Sequence, residues 1–123
     1  MTETKNNKQY DLEERTLQFA KDVRSLIKQL KMSYSNQEDG RQLIRSSGSV
    51  GANYIEANES LSKKDFLMRI KICRKEAKES KYWLNLLDME SNLELVDTRK
   101  SLRDEAIELT NIFGAILRRS EGK

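Results

Sequence analysis

Apolar residues recur along this chain at alternating steps of four and three, in four separate stretches. The first runs Leu12, Thr16, Phe19, Val23, Leu26, Leu30, and the second Leu43, Ser47, Val50, Tyr54, Ala57, Leu61. The third, Phe66, Ile70, Cys73, Ala77, Ser80, Leu84, Leu87, is the longest unbroken seam, and Leu102, Ala106, Leu109, Phe113, Ile116 make the fourth. A strand alternates every second residue, whereas steps of three and four return to one side of an α-helix. The pattern therefore predicts four amphipathic helices. Their connections are short, which favours antiparallel neighbours and an all-α, up-down-up-down four-helix bundle.

Composition fits that expectation. The 123 residues are enough for one hydrophobic core, and 37% hydrophobic with 35% charged residues suits narrow apolar stripes on otherwise polar helices. There is no proline and there are only five glycines, too few turn formers for an all-β chain of this length. Asp11 with Glu14, and Ser62 with Asp65, read as capping boxes that open the first and third helices. The second helix is expected from about Gln37 to Leu61 and the fourth from about Asp97 to Arg119, with connections at Lys31–Glu38 and Ser91–Leu95. Residues 1–10 are polar and read as a disordered tail before a bundle spanning 11–119. Neither a signal peptide nor a run of about 18 apolar residues is visible, so a cytoplasmic protein without a membrane span is expected.

The same composition removes most catalytic chemistry. With no histidine, the chain cannot supply histidine acid/base catalysis, a Ser-His triad or Glu-x-x-His metal ligands. The single Cys73 allows neither an internal disulfide nor a cysteine zinc cluster. No catalytic residue, metal ligand or cofactor is expected.

Three surface stripes remain. Between Lys63 and Lys81 stand eight basic and three acidic residues, a local excess larger than the net +3 of the whole chain. Lys64, Lys71, Lys75 and Lys78 fall within about 60° of one another on a helical wheel, roughly opposite the apolar seam, and Arg74 and Lys81 extend the cluster. Such a row can follow a phosphate backbone, or it can be an ordinary solvated helix face. On the same helix Ile72, Glu76, Glu79 and Trp83 lie about 80–100° from the seam. Trp83 there reads either as part of a wide core or as a subunit contact, with Glu76 and Glu79 pairing arginines of a neighbour. On the second helix Ser46, Ser49, Asn53, Glu56 and Ser60 share one flank, suited to close helix packing or to a binding surface. Gly48 and Gly51 each cost about 1 kcal/mol against alanine inside a helix, so a close approach, a kink or a ligand contact is expected there.

The run Arg45-Ser-Ser-Gly-Ser-Val-Gly-Ala-Asn-Tyr-Ile-Glu-Ala-Asn58 resembles the second-helix signature of the bacterial 23S ribosomal RNA intervening-sequence proteins, with Ser49, Val50, Gly51, Asn53, Tyr54, Glu56 and Ala57 as its core. Ser62-Lys-Lys-Asp-Phe66, Glu76 to Leu87 with Tyr82-Trp83-Leu84 inside it, and Asp11-Leu-Glu-Glu-Arg15 with Phe19-Ala20 are similar to other parts of that family, so the likeness covers about residues 10–117. The resemblance implies a four-helix up-and-down bundle that assembles as a homo-oligomeric ring, a pentamer, with a basic surface suited to nucleic acid. It also implies kinship with accessory proteins of retroelement reverse transcriptases. Many relatives carry a proline in the first connection, and this chain has none.

Two functional readings follow. The first is a non-enzymatic homo-oligomer that binds RNA or DNA backbone through Lys64, Lys71, Arg74, Lys75, Lys78 and Lys81, with weak sequence preference because lysines on a helix reach phosphates more readily than base edges. The second is an interaction scaffold whose basic face docks an acidic protein partner such as a reverse transcriptase. An enzyme reading finds no phosphate loop or histidine to support it.

Overall fold

A computed structural model describes residues 11–122, so the expected tail at residues 1–10 and the side chain of Asp11, half of one expected capping box, lie outside the described residues. Four helices follow in order: α1 Asp11–Gln29, α2 Tyr34–Asn58, α3 Lys63–Leu86 and α4 Val96–Glu121, with a 3-10 turn at Leu93–Leu95 leading into α4. No strand occurs among the described residues.

Local chemistry sets the boundaries. The Ser62 hydroxyl accepts from the Asp65 N–H at 3.0 Å and caps α3 where the Ser62/Asp65 pair predicted it. That cap needs extended backbone at Ser62, with φ −144° and ψ 159°, so α2 must end earlier. It ends at Asn58, one turn short of the expected Leu61, which lies in the turn and is 99% exposed. At the other end Ser33 caps α2 by accepting from the Asn36 N–H at 3.1 Å, starting the helix three residues before the expected Gln37. The polar run Tyr34-Ser-Asn36 reads as a loop by composition but forms the first turn of a capped helix.

Neighbouring helices meet in reversed order along the chain. Glu13 meets Asn58 and Thr16 meets Gly51 between α1 and α2. Ser46 meets Ser80 and Asn53 meets Arg69 between α2 and α3. Asn85 meets Arg103 and Lys71 meets Glu121 between α3 and α4, while Arg15 of α1 reaches Glu105 and Glu108 of α4. The first and third connections gather at one end. There Asn36 donates to the Asp88 carbonyl at 3.0 Å and accepts from the Asp88 N–H at 2.8 Å, and Asn92 accepts from the Lys31 N–H at 2.8 Å.

The core is the set of four-three seams closed on one another. Phe19, Leu26, Leu43, Ile70, Leu84, Leu109 and Phe113 are fully buried. α3 contacts α2 and α4 most extensively, and its seam carries the small residues Cys73, Ala77 and Ser80 in a row. Burial raises the Cys73 thiol to about pKa 12, so it stays protonated as a small apolar side chain.

Gly48 and Gly51 of α2 differ. A Cβ at Gly51 would stand 2.8 Å from Thr16 Oγ1 and 3.2 Å from Thr16 Cβ, so this glycine is what lets α1 approach. At Gly48 the nearest neighbour would be the mobile end of Arg24 at 3.7 Å, and the residue opens onto a surface groove of about 370 Å³ between α1 and α2. Close packing therefore explains Gly51 and not Gly48.

Candidate nucleic-acid interface

α3 turns three distinct faces outward from one helix. Its seam is consumed by the core. Lys64, Lys71, Arg74, Lys75 and Lys78 are exposed, and Lys81 is half-buried. Lys81 stands closest to the seam on a helical wheel, which fits its partial burial, while Lys64, Lys75 and Lys78 lie farther round the helix from it. Among the described residues Lys64, Arg74, Lys75 and Lys78 form no ion pair, and Lys71 reaches Glu121 of α4 only at 3.7 Å between two largely exposed groups. A pair of that kind contributes little and is readily exchanged.

Two of the three acids on α3, Glu76 and Glu79, are turned toward α2. Glu79 accepts from Arg45 Nη2 at 2.6 Å and from the Trp83 indole N–H at 3.0 Å. Glu76 is 7% exposed; its Oε1 lies 3.5 Å from Arg45 Nη2, close enough for attraction but too poorly aligned for a hydrogen bond. The arginine expected from a neighbouring subunit is thus Arg45 of the same chain. Sequence reading placed Arg45 only as the first residue of the family run, because its partners lie 31 and 34 residues away on another helix. With both carboxylates turned toward α2, Lys64, Lys75 and Lys78 have no ion-pair partner among the described residues.

Ile72 and Trp83, the other members of the Glu76/Glu79 stripe, are half-buried. Trp83 packs on the core with one edge and on Tyr82 with the other, ring centroids 5.1 Å apart. The exposed side chains Met68 and Leu86, at 51% and 46% exposure, lie between this stripe and the lysines, and Tyr82, 58% exposed, stands at the angle of the lysine row.

The family run on α2 is explained by packing. Val50 and Ala57 are in the core, Tyr54 packs on Phe113 with centroids 5.8 Å apart, and Gly51 receives Thr16. Asn53 donates to the Ser49 carbonyl at 2.9 Å and accepts from Arg69 Nη1 at 2.9 Å, tying α2 to α3. The hydroxyls of Ser46 and Ser80 share a buried hydrogen bond of 2.8 Å. Ala52, Ile55 and Glu56 are exposed, and no contact accounts for the identity of Glu56.

α4 adds basic groups that periodicity did not reveal. Arg118 and Arg119 occupy its last turn, where cations complement the helix dipole. Arg119 joins Lys63, Phe66 and Ser120 around a recess of about 480 Å³ at the edge of the α3 face, and Arg118 lies beside Arg74. The described residues contain no group of three or more Cys, Asp or Glu placed to hold a metal ion, and no helix is long and apolar enough to cross a membrane.

Comparison with known proteins agrees with this architecture. A family model described as 23S rRNA-intervening sequence protein matches residues 8–115. A crystal structure of a protein of unknown function from the S23 ribosomal protein family of Bacteroides thetaiotaomicron superposes with a TM-score of 0.72, at 28% sequence identity, covering 85% of this chain and 96% of that one. No curated protein matches the chain.

Proposed function

The chain belongs to the 23S rRNA-intervening sequence protein family, and on that premise we propose that it is a non-enzymatic, homo-oligomeric, cytoplasmic bundle that binds the phosphate backbone of RNA or DNA through the outer face of α3. One observation carries the reading: Lys64, Lys71, Arg74, Lys75 and Lys78 form an exposed row while Glu76 and Glu79 of the same helix are drawn to Arg45 on another side. Rigid spacing on one helix lets several phosphates be met at once without reordering the protein. Each contact releases condensed counterions, so affinity should fall steeply with salt. Lysine ammonium groups on a convex helix favour phosphates over base edges, which predicts weak sequence preference.

The homo-oligomeric part of the proposal is supported by the Met68, Ile72, Trp83 and Leu86 stripe, an apolar surface beside and not within the basic face. A subunit contact there, in a ring such as the pentamer the family resemblance implies, would leave the lysines outward and multiply the row around the assembly. The alternative, docking of an acidic protein partner such as a reverse transcriptase, uses the same lysines.

The test is binding of labelled structured RNA and duplex DNA across a salt series. Several phosphate contacts predict a loss of about a thousandfold in affinity from low to moderate salt. Affinity that barely changes, or no binding at low salt, would overturn the reading and favour the protein partner.

A further inference from the structure

Most arginines of the bundle are engaged within the chain. Arg15, Arg41 and Arg45 meet carboxylates, Arg69 and Arg103 meet asparagine side chains, and Arg99 donates to the Leu84 and Leu87 carbonyls at the end of α3. Arg74, Arg118 and Arg119 have no such partner among the described residues, and the first two converge. They approach one another from α3 and α4 over Gly114, whose Cβ position would lie 3.4 Å from Arg74 Nε and 3.5 Å from Arg118 Nη1. Both are exposed, and among the described residues neither forms an ion pair. Glu121, the acid in that last turn of α4, turns to Lys71.

Two guanidinium groups side by side repel one another, and ordinarily a carboxylate sits between them. None does so here among the described residues. Each guanidinium carries a planar fork of N–H donors, and two such groups brought near one point match the several oxygens of a phosphate better than they match any single carbonyl. Gly114 marks the meeting point: a Cβ there would touch both Arg74 and Arg118 at ordinary van der Waals distance, so the two side chains converge on one spot of α4. Lys71, on the same side of α3, adds positive charge beside the pair.

We propose that Arg74 and Arg118 form a two-armed clamp for one phosphate group, the fixed anchor on an otherwise loosely gripping lysine face. The identity of its ligand, a phosphate of an RNA or DNA strand, rests on the function proposed above; the clamp itself does not. A clamp of this kind sets where the strand crosses from α3 to α4, whereas the lysines set how strongly it is attracted.

Two measurements on the full chain separate the possibilities. In the first, the arginine Nε–H resonances are followed by NMR as inorganic phosphate is added. Arg74 and Arg118 should shift together while Arg41, an exposed arginine paired to Glu38, stays in place; equal or absent shifts at all three would overturn the clamp. In the second, Arg74→Lys/Arg118→Lys is compared with wild type for binding to a structured RNA. Charge is unchanged, so a purely diffuse electrostatic face predicts equal affinity, whereas loss of the two forks predicts about tenfold weaker binding. Equal affinity would overturn the clamp's role in holding the strand even if the wild type binds well. Should the wild type bind no nucleic acid, the function proposed above fails, and the phosphate titration alone decides the clamp.

Discussion

A methyl group at Gly51 has nowhere to go, because Thr16 Oγ1 would be 2.8 Å away and is itself fixed by hydrogen bonds to the Leu12 and Glu13 carbonyls. Gly51→Ala is therefore expected to destabilise by about 1–3 kcal/mol through overpacking, and Thr16→Ala in the same chain should recover part of that loss. Gly48→Ala meets only the movable end of Arg24 and should stabilise by about 1 kcal/mol through helix propensity. Urea denaturation of the three variants checks both signs. The sequence treats these two glycines alike, since both interrupt the same helix; what distinguishes them is a threonine on another helix. Cys73 makes a second residue-scale prediction. Its folded pKa of about 12 lies above the ordinary thiol value, so burial favours the protonated form. The associated stability is complete below the ordinary value and declines as pH rises toward 12. A thiol reagent at about pH 8 should leave the native protein unmodified and label it fully once unfolded. Rapid native labelling would contradict the buried position.

Element boundaries were legible where a cap could be recognised and illegible where it could not. Ser62 with Asp65 located the start of α3, and Ser62→Ala should cost about 1 kcal/mol of stability, measured by thermal melting. The same cap ended α2 before Leu61, which the four-three count alone would have carried into the core. Ser33 was missed because Ser35 and Asn36 look like loop residues, yet Asn36 is buried and clamps the two connections together. Asn36→Ala leaves the Asp88 backbone groups without that partner, and a loss of about 1–3 kcal/mol is expected. The three outward faces of α3 were all visible on a helical wheel, since angle around one axis needs only spacing. Which groups on those faces are neutralised was not visible. Arg45 and Arg118 take their importance from partners on other helices, and no local periodicity encodes that.

For the whole molecule, four seams and short connections were enough to specify an all-helical bundle, and Phe113→Ala, at the meeting point of α4 with Tyr54 of α2, should cost about 3–5 kcal/mol. Function was less legible because the residues that carry it are not those that carry the fold. The family run Ser49–Ala57 is occupied almost wholly by helix packing, while the proposed interface is a common residue type on a common helix face. The most direct test is therefore a comparison of wild type with Lys71→Glu/Lys75→Glu/Lys78→Glu, with light scattering confirming one shared oligomeric state, for binding to structured RNA and duplex DNA at low salt. The account predicts that the wild type binds and that the reversed charges weaken binding on the order of a hundredfold or more. Equal affinity of the two proteins would place the binding surface elsewhere and contradict it.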